Sequence, residues 1–433
     1  MIIAGLMTGT SADGLDLVLA EFTLDPDTIP NSAIDTIPNS APTLAVRILA
    51  EREIPFDASL HSDILRLLEP RDLALSLVSD IDGRLGRFFA EALAVFCRDT
   101  GITPDLVVSH GQTVRHDSTE GLVTSTLQLG QPAFLAEAAG APVLSDVRAR
   151  DVAAGGQGAP LVGILDGLLL GEVETPTALL NLGGIANITV IFPGKDPIAF
   201  DTGPANALID ILARRITGGR ESFDRNGEFA AAGTVDEGLL TDLLAEPYYS
   251  QPAPKSTGKE LFHADYLDGF LAAHPHLGEH DAIATVTALT ARTVAEACRA
   301  HGVTSVIASG GGTRNPVLMR ELGHHLGAGA DGGPGPGAGP SAGPGPGPST
   351  GPGASAGTVL RTTDEALGLP EGSKEALLMA LLGWLSWHGL TGTEPSLTGA
   401  AHPSIAGRFT PGRGGLRLPE PLRTRPTRLR ILP

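Results

Sequence analysis

Cysteine is nearly absent. The chain of 433 residues has only Cys97 and Cys298, in no CxxC pair, which argues against a disulfide scaffold and a cysteine zinc site. Aromatics are scarce at 4%, so Leu, Val, Ile and Ala must fill the core that 42% hydrophobic residues allow. Positive charge is short as well. A net charge of −19 suits neither a nucleic-acid backbone nor an anionic membrane. It leaves a phosphorylated small ligand open, because backbone N–H groups bind one locally. No window approaches the run of about 18 apolar residues that spans a bilayer. The start, MIIAGLMTGTSADGLDLVLAEF, lacks a basic region, and Asp13 and Asp16 interrupt its apolar pattern, so it does not read as a secretory signal. A cytoplasmic protein is expected.

The length allows two domains, or one large core cut by a cleft. Two stretches read as insertions. DTIPNSA occurs at 27–33 and again at 35–41, too few copies for a solenoid, so a surface loop is expected. Within 327–357 only Asp331 and Thr350 fall outside Gly, Ala, Pro and Ser; such a run buries too little to offset its ordering entropy, so disorder is expected. From Arg408 onward there are seven Arg and one acid, Glu420, which reads as a solvated tail or surface strap.

Between these lie alternating strand and helix signals. Strands are predicted at 1–7, 15–22, 177–182, 185–192 and 306–308, and helices at 281–300, 315–326 and 374–387. The mixture implies an α/β fold. A strand, a Gly-rich turn and a second strand occur near residue 10 and again around Gly183 and Gly184, which suggests a duplicated domain with a cleft between its halves.

Five segments are candidates for chemistry. Gly9, Thr10, Ser11, Ala12, Asp13, Gly14, Leu15 and Asp16 form a small-residue turn whose N–H groups and hydroxyls can converge on phosphate; no GKS or GKT closes it as a P-loop. Asp13 or Asp16 could hold Mg²⁺ through water; a plain hairpin turn is the bland alternative. SHGQTVRH (109–116) follows an apolar run, where α/β proteins place ligands, and offers His110 and Gln112 to sugar hydroxyls. DVRARDVAAGGQGAP (146–160) presents Arg148 and Gln157, with Asp146 and Asp151 able to neutralise Arg148 as structural ion pairs. In FDTGPAN, Asp201 could cap the following helix or act as a base. Gly310, Gly311 and Gly312 let backbone approach a flat ligand, or form an unliganded turn.

Together these segments resemble the anhydro-N-acetylmuramic acid kinase family. The resemblance rests on GLMTGTSADGLD, SHGQTVRH, DVRARDVAAGGQGAPLV, NLGGIANIT, FDTGPAN, FDRNGEFAAAG, PKSTGKELF, SGGGTRNPVLM, ALGLPEGSKEAL and PSLTGA. It spans Ile3 to about Ala400, with Thr8 where the family has Ser and Val147 where it often has Phe. It implies the duplicated actin-like, ribonuclease H-like ATPase fold, two domains flanking a nucleotide cleft. The divisions expected are 1–135, 136–400 and an Arg-rich tail, 401–433. It implies ATP and Mg²⁺, the latter at Asp13 through water, and a small-molecule sugar substrate. No nucleic-acid or membrane partner is expected, and a homodimer is allowed. It implies that Gly9–Asp16 meets the phosphates, with Gly183 and Gly184 also on the nucleotide side and Gly310–Gly312 near the nucleoside. Asp201 would activate water, Glu375 would assist it, and His110, Gln112, Arg148 and Gln157 would face the sugar. The implied reaction phosphorylates the anhydro sugar while water opens its ring, for peptidoglycan recycling. The alternatives are a kinase of the same fold acting on an ordinary sugar hydroxyl, and a non-catalytic ATPase module.

Overall fold

Short apolar runs bounded by Gly and polar turns set the strands. The computed structural model describes residues 1–9, 12, 14–25, 42–68, 72–119, 122–253, 255–258, 261–327 and 357–433. The tandem-repeat segment, and the Gly/Pro/Ala run apart from its ends Gly327 and Gly357, lie outside the described residues. So do Thr10, Ser11 and Asp13, and with them the expected water-mediated metal site.

The first half supplies β1 (Ile2–Met7), β2 (Gly14–Leu24), β3 (Thr43–Pro55), β4 (Leu106–Ser109), the hairpin β5 (Gln112–Thr119) and β6 (Leu122–Leu129), and β7 (Val143–Ser145). The second supplies β8 (Thr177–Leu182), β9 (Ile185–Phe192), β10 (Lys195–Pro204), β11 (Ser305–Ser309) and β12 (Val359–Thr362). The tail adds β13 (Arg408–Thr410) and β14 (Arg428–Leu432).

Two sheets share one plan. The first runs β13-β7-β4-β1-β2-β3-β14 and the second β10-β9-β8-β11-β12. In each, three consecutive strands pair antiparallel, and the first of them then takes a parallel neighbour, β4 beside β1 and β11 beside β8. A fifth strand continues parallel, β7 beside β4 and β12 beside β11. The duplication suggested by the two Gly turns is therefore real: the fold is α/β, two ribonuclease H-like halves in the actin-like arrangement. The first sheet draws strands from both sides of residue 135, since β7, β13 and β14 all join it. The Arg-rich tail is a strap rather than a solvated end: β13 pairs β7 and β14 pairs β3, closing both edges of that sheet, which would otherwise present unpaired N–H and C=O groups.

The helix Lys374–Trp387 is apolar almost all round and is buried from Ala376 to Ser386, as such a helix must be. It follows the last strand of the second sheet yet packs on β1, β2 and β4 of the first. Glycines permit that approach. A Cβ on Gly5 would strike the Ala376 carbonyl, and one on Gly383 would strike Val108. The helix Val162–Leu170 shares its core, built of Leu, Ile, Val and Ala with few aromatics. None of the described helices is long and apolar enough to cross a membrane.

Candidate active site

Turns at the strand ends carry the candidate residues, and a few hydrogen bonds lock them together. Thr8 Oγ1 donates to Gly111 O at 2.8 Å, and Gln112 Nε2 to Gly9 O at 3.3 Å. The first turn and the SHGQTVRH segment are thus one unit, although that segment becomes strand β5 from Gln112 onward.

His110 is 2% exposed. Its Nδ1 lies 2.6 Å from Gly111 O, and its Nε2 accepts from Arg148 Nε at 2.8 Å. That arrangement fixes a neutral ring protonated at Nδ1. Burial, and after it the Arg148 charge, push its pKa down to about 3. Arg148 Nη1 also donates to Gly158 O at 2.7 Å.

The ion pairs expected between Arg148 and its neighbouring aspartates do not form as anticipated. Asp146 lies 3.6 Å from Arg408. Asp151, fully buried, accepts instead from Gly158 N and Thr398 Oγ1, each at 2.8 Å. A carboxylate at that spot organises the Gly-Gly-Gln-Gly loop and ties it to PSLTGA. Gln157 donates its N–H to Thr398 O at 2.8 Å, and His116 bonds the Gln157 backbone. His110, Gln112, Arg148 and Gln157 therefore share one bonded network.

Glu375 opens the Lys374–Trp387 helix and is half-buried. Burial raises its pKa, and Arg148 and then Lys374 oppose the rise. Arg148 thereby links Glu375 to the His110 network. The adjoining Lys374 Nζ lies 2.8 Å from Asp166 Oδ1 and 3.5 Å from Ser309 Oγ at the end of β11. Sequence reading missed this pair. A lone carboxylate inside the apolar run VGILDGLLL was the signal, since a buried charge needs a partner.

Asp201 sits in strand β10, immediately before a bulge that falls between Asp201 and Gly203. The following helix, Asn206–Thr217, has Ala205 at its N-cap and no side-chain cap, so Asp201 does not cap it. Bulges re-aim side chains, and three further contacts hold this one. Thr257 N donates to Asp201 Oδ2 at 2.9 Å, Asp201 N donates to Lys255 O at 3.0 Å, and Tyr248 OH donates to Asp201 O at 2.8 Å. Residues 255–258, assigned no role from sequence, are thus the cradle of Asp201. Asn206 Nδ2 donates to Leu182 O and Gly183 O at 3.0 and 2.9 Å, tying FDTGPAN to the second Gly turn.

Gly310 and Gly312 are required by packing, since a Cβ on either would crowd Asn181 or Leu182; Gly311 and Gly184 have open space where a Cβ would stand. Backbone at those two positions can meet a ligand. A cleft of about 500 Å³ joins the halves, lined by Asp16, Glu51, Glu53, Arg314, Asp364, Gly372 and Ser373 among others. It brings Asp16 of the first turn to the wall that also holds Arg314 of the triple-glycine segment. Its size falls in the range of about 300–1,000 Å³ usual for ligand sites.

Comparison with known proteins gives the family. The sequence model of the family described as "Anhydro-N-acetylmuramic acid kinase" matches residues 1–331. A protein of that name from Streptomyces coelicolor is 46% identical over 433 residues, covering 100% of this chain and 99% of its own length. Another from Streptomyces avermitilis is 47% identical over 430 residues, covering 99% of each. Solved structures superpose loosely, among them component A of the (R)-2-hydroxyglutaryl-CoA dehydratase of Acidaminococcus fermentans. It has a TM-score of 0.41 at 11% identity, covering 88% of this chain and 96% of that one; the fold rests on the strand orders instead. With its family model matched over most of the sequence and its relatives matched end to end, the chain belongs to the anhydro-N-acetylmuramic acid kinase family.

Proposed function

We propose that the protein transfers the γ-phosphoryl group of ATP to 1,6-anhydro-N-acetylmuramic acid while water opens the anhydro bridge. The products are N-acetylmuramic acid 6-phosphate and ADP. The reading is supported most by the end-to-end likeness to kinases of that name, taken with a carboxylate, Asp201, oriented by the Thr257 N–H.

The chemistry follows from the bridge. It ties O6 to the anomeric carbon, so O6 has no proton to lose. Asp201 takes a proton from a water, whose oxygen attacks the anomeric carbon from the face opposite O6. The C1–O6 bond breaks, and O6 attacks the γ-phosphorus in line, releasing ADP. This couples an inverting glycosidase step to phosphoryl transfer. Glu375, its carboxyl raised by burial, assists by accepting a hydrogen bond from the water. His110 is neutral and buried; with Gln112, Arg148 and Gln157 it forms the sugar-side wall. Closure of the two halves, one built on each large sheet, excludes bulk water that would hydrolyse ATP.

The cleft has the volume of a small-molecule ligand site and would take the phosphate end of ATP, while Gly184 and Gly311, with open space where a Cβ would stand, would let backbone meet the rest of the nucleotide. Mg²⁺ suits the cleft's carboxylates, since that ion takes one or two of them plus phosphate oxygens. Asp16 would hold it, and it would neutralise charge on the transferring phosphoryl group. We place the reaction in the cytoplasm, where ATP is supplied.

Reaction in ¹⁸O-labelled water tests the proposal. Label is expected in the new anomeric hydroxyl and absent from the phosphate ester, read within the first turnovers before ring-opening exchanges it. Label in phosphate alone would mean that water attacks phosphorus and that the coupled reaction is wrong.

A further inference from the structure

A second constellation lies outside the segments assigned to the reaction. Among the described residues, Asp236, His274 and His276 each bring one ligand atom to within 4.8 Å of the others. The sequence His274-Pro275-His276 sets two imidazoles on the turn between the helices Ala264–Ala273 and Glu279–Ala300. Asp236 is the N-cap of a third helix, Glu237–Leu244.

The local bonding leaves a ligand set. Asp236 Oδ1 accepts from Leu239 N at 2.7 Å, while Oδ2 stands 3.4 Å from His276 Nε2. That separation is long for a charge-assisted hydrogen bond, about 2.7–2.9 Å. It matches the roughly 3.3 Å between two ligands on one tetrahedral zinc, given metal bonds of about 2.0–2.1 Å. His274 Nε2 is bound to Asp242 Oδ2 at 2.8 Å. With Nε2 protonated toward that carboxylate, the Nδ1 lone pair is left for a metal, the usual carboxylate–histidine–metal relay. Nδ1 faces the start of the Glu237–Leu244 helix: a Cβ placed on Gly238 would lie 3.9 Å from it and 3.1 Å from Asp236 Oδ1. The His276 side chain is 64% exposed and that of His274 13%, which leaves an entry path and a position for water as fourth ligand.

We propose that Asp236, His274 and His276 bind one zinc-class divalent ion, with Asp242 positioning His274, and that the ion staples the 274–278 turn to the N-terminus of the Glu237–Leu244 helix. Two imidazoles and a carboxylate select zinc over the oxygen-preferring Mg²⁺ and Ca²⁺. A second group, Glu321, His324 and His325, sits on a single helix. Among the described residues, neither His324 nor His325 has a hydrogen-bonded carboxylate comparable to Asp242, and the group serves as the control.

The test uses metal-free full-length protein titrated with zinc chloride, followed by calorimetry and thermal unfolding. One equivalent should bind and raise the unfolding temperature. Asp236→Asn keeps the capping oxygen but loses the charge; it and His276→Ala should each weaken binding by about 100-fold or more. Asp242→Asn should cost about 10–100-fold, as loss of an outer-sphere partner does. His324→Ala with His325→Ala should change nothing. Should His276→Ala not fold, His276→Gln reads the same loss. The absence of saturable zinc binding, or binding that survives His276→Ala and disappears with His324→Ala and His325→Ala, overturns the proposal.

Discussion

Lys374 Nζ stands 2.8 Å from Asp166 Oδ1, with only 4% and 1% of the two side chains exposed. The pair joins the helix Val162–Leu170 to the head of the helix that carries Glu375. Burial raises the Asp166 pKa and Lys374 opposes that rise, so the carboxylate depends on its partner. Removing one member of a buried pair costs about 3–5 kcal/mol, whereas replacing both by apolar groups can be nearly neutral. Lys374→Met should therefore destabilise the protein by that amount in urea unfolding, and adding Asp166→Leu should recover much of it. Equal stability of wild type and the single variant would show that the pair contributes nothing.

Asp201→Asn should lower kcat by 10²-fold or more, the range expected when a positioned base is lost, with ATP affinity nearly unchanged. Asn keeps the shape and one acceptor for the Thr257 N–H, so the fold should persist. A folded variant retaining above about a tenth of wild-type kcat is too active to have lost a general base.

His110 makes a pH prediction with a definite sign. Its pKa is near 6.5 unfolded and about 3 folded. Between those values the unfolded chain binds the extra proton, so stability falls as pH drops through the window. The slope is at most about 1.4 kcal/mol per pH unit. Denaturant unfolding at pH 6 and pH 5 should show this slope in wild type and a flatter one in His110→Gln. The pH–rate profile should keep its shape in that variant, because a ring that stays neutral is no proton carrier. Identical unfolding slopes in the two proteins would contradict the buried neutral ring.

Gly5→Ala should be damaging although Ala is a better strand former. The added Cβ would collide with the Ala376 backbone carbonyl, so the Lys374–Trp387 helix must shift and Glu375 with it. A lower unfolding temperature and a reduced kcat are expected together. The reverse swap of a wall contact, Gly311→Ala, meets nothing in the fold. It should leave stability unchanged and raise KM for ATP alone.

Much of this was legible in the chain. Apolar runs and Gly turns located β1, β2, β8, β9 and β11 and the helices Glu279–Ala300, Pro316–Leu326 and Lys374–Trp387, because local periodicity reflects burial of one face or of all faces. The long strand β3 and the hairpin β5–β6 escaped, since β3 ends in the polar alternation AEREIP and β5 begins inside a segment that reads as a turn. The composition determined that the core would be aliphatic, and the ordered motifs determined the family. Only the tertiary structure decided what each polar group is for. Asp201 could cap the following helix or act as a base, and the structure leaves it on β10, bonded to the Thr257 N–H and away from that helix's N-cap. Asp151 could pair with Arg148, yet it holds Gly158 and Thr398, the latter 247 residues away. Arg148 meets His110, and Lys374 meets Asp166, across separations that no local pattern encodes. A hydrogen bond or ion pair depends on distance in space, and that distance is set when the two halves and the returning helix pack together.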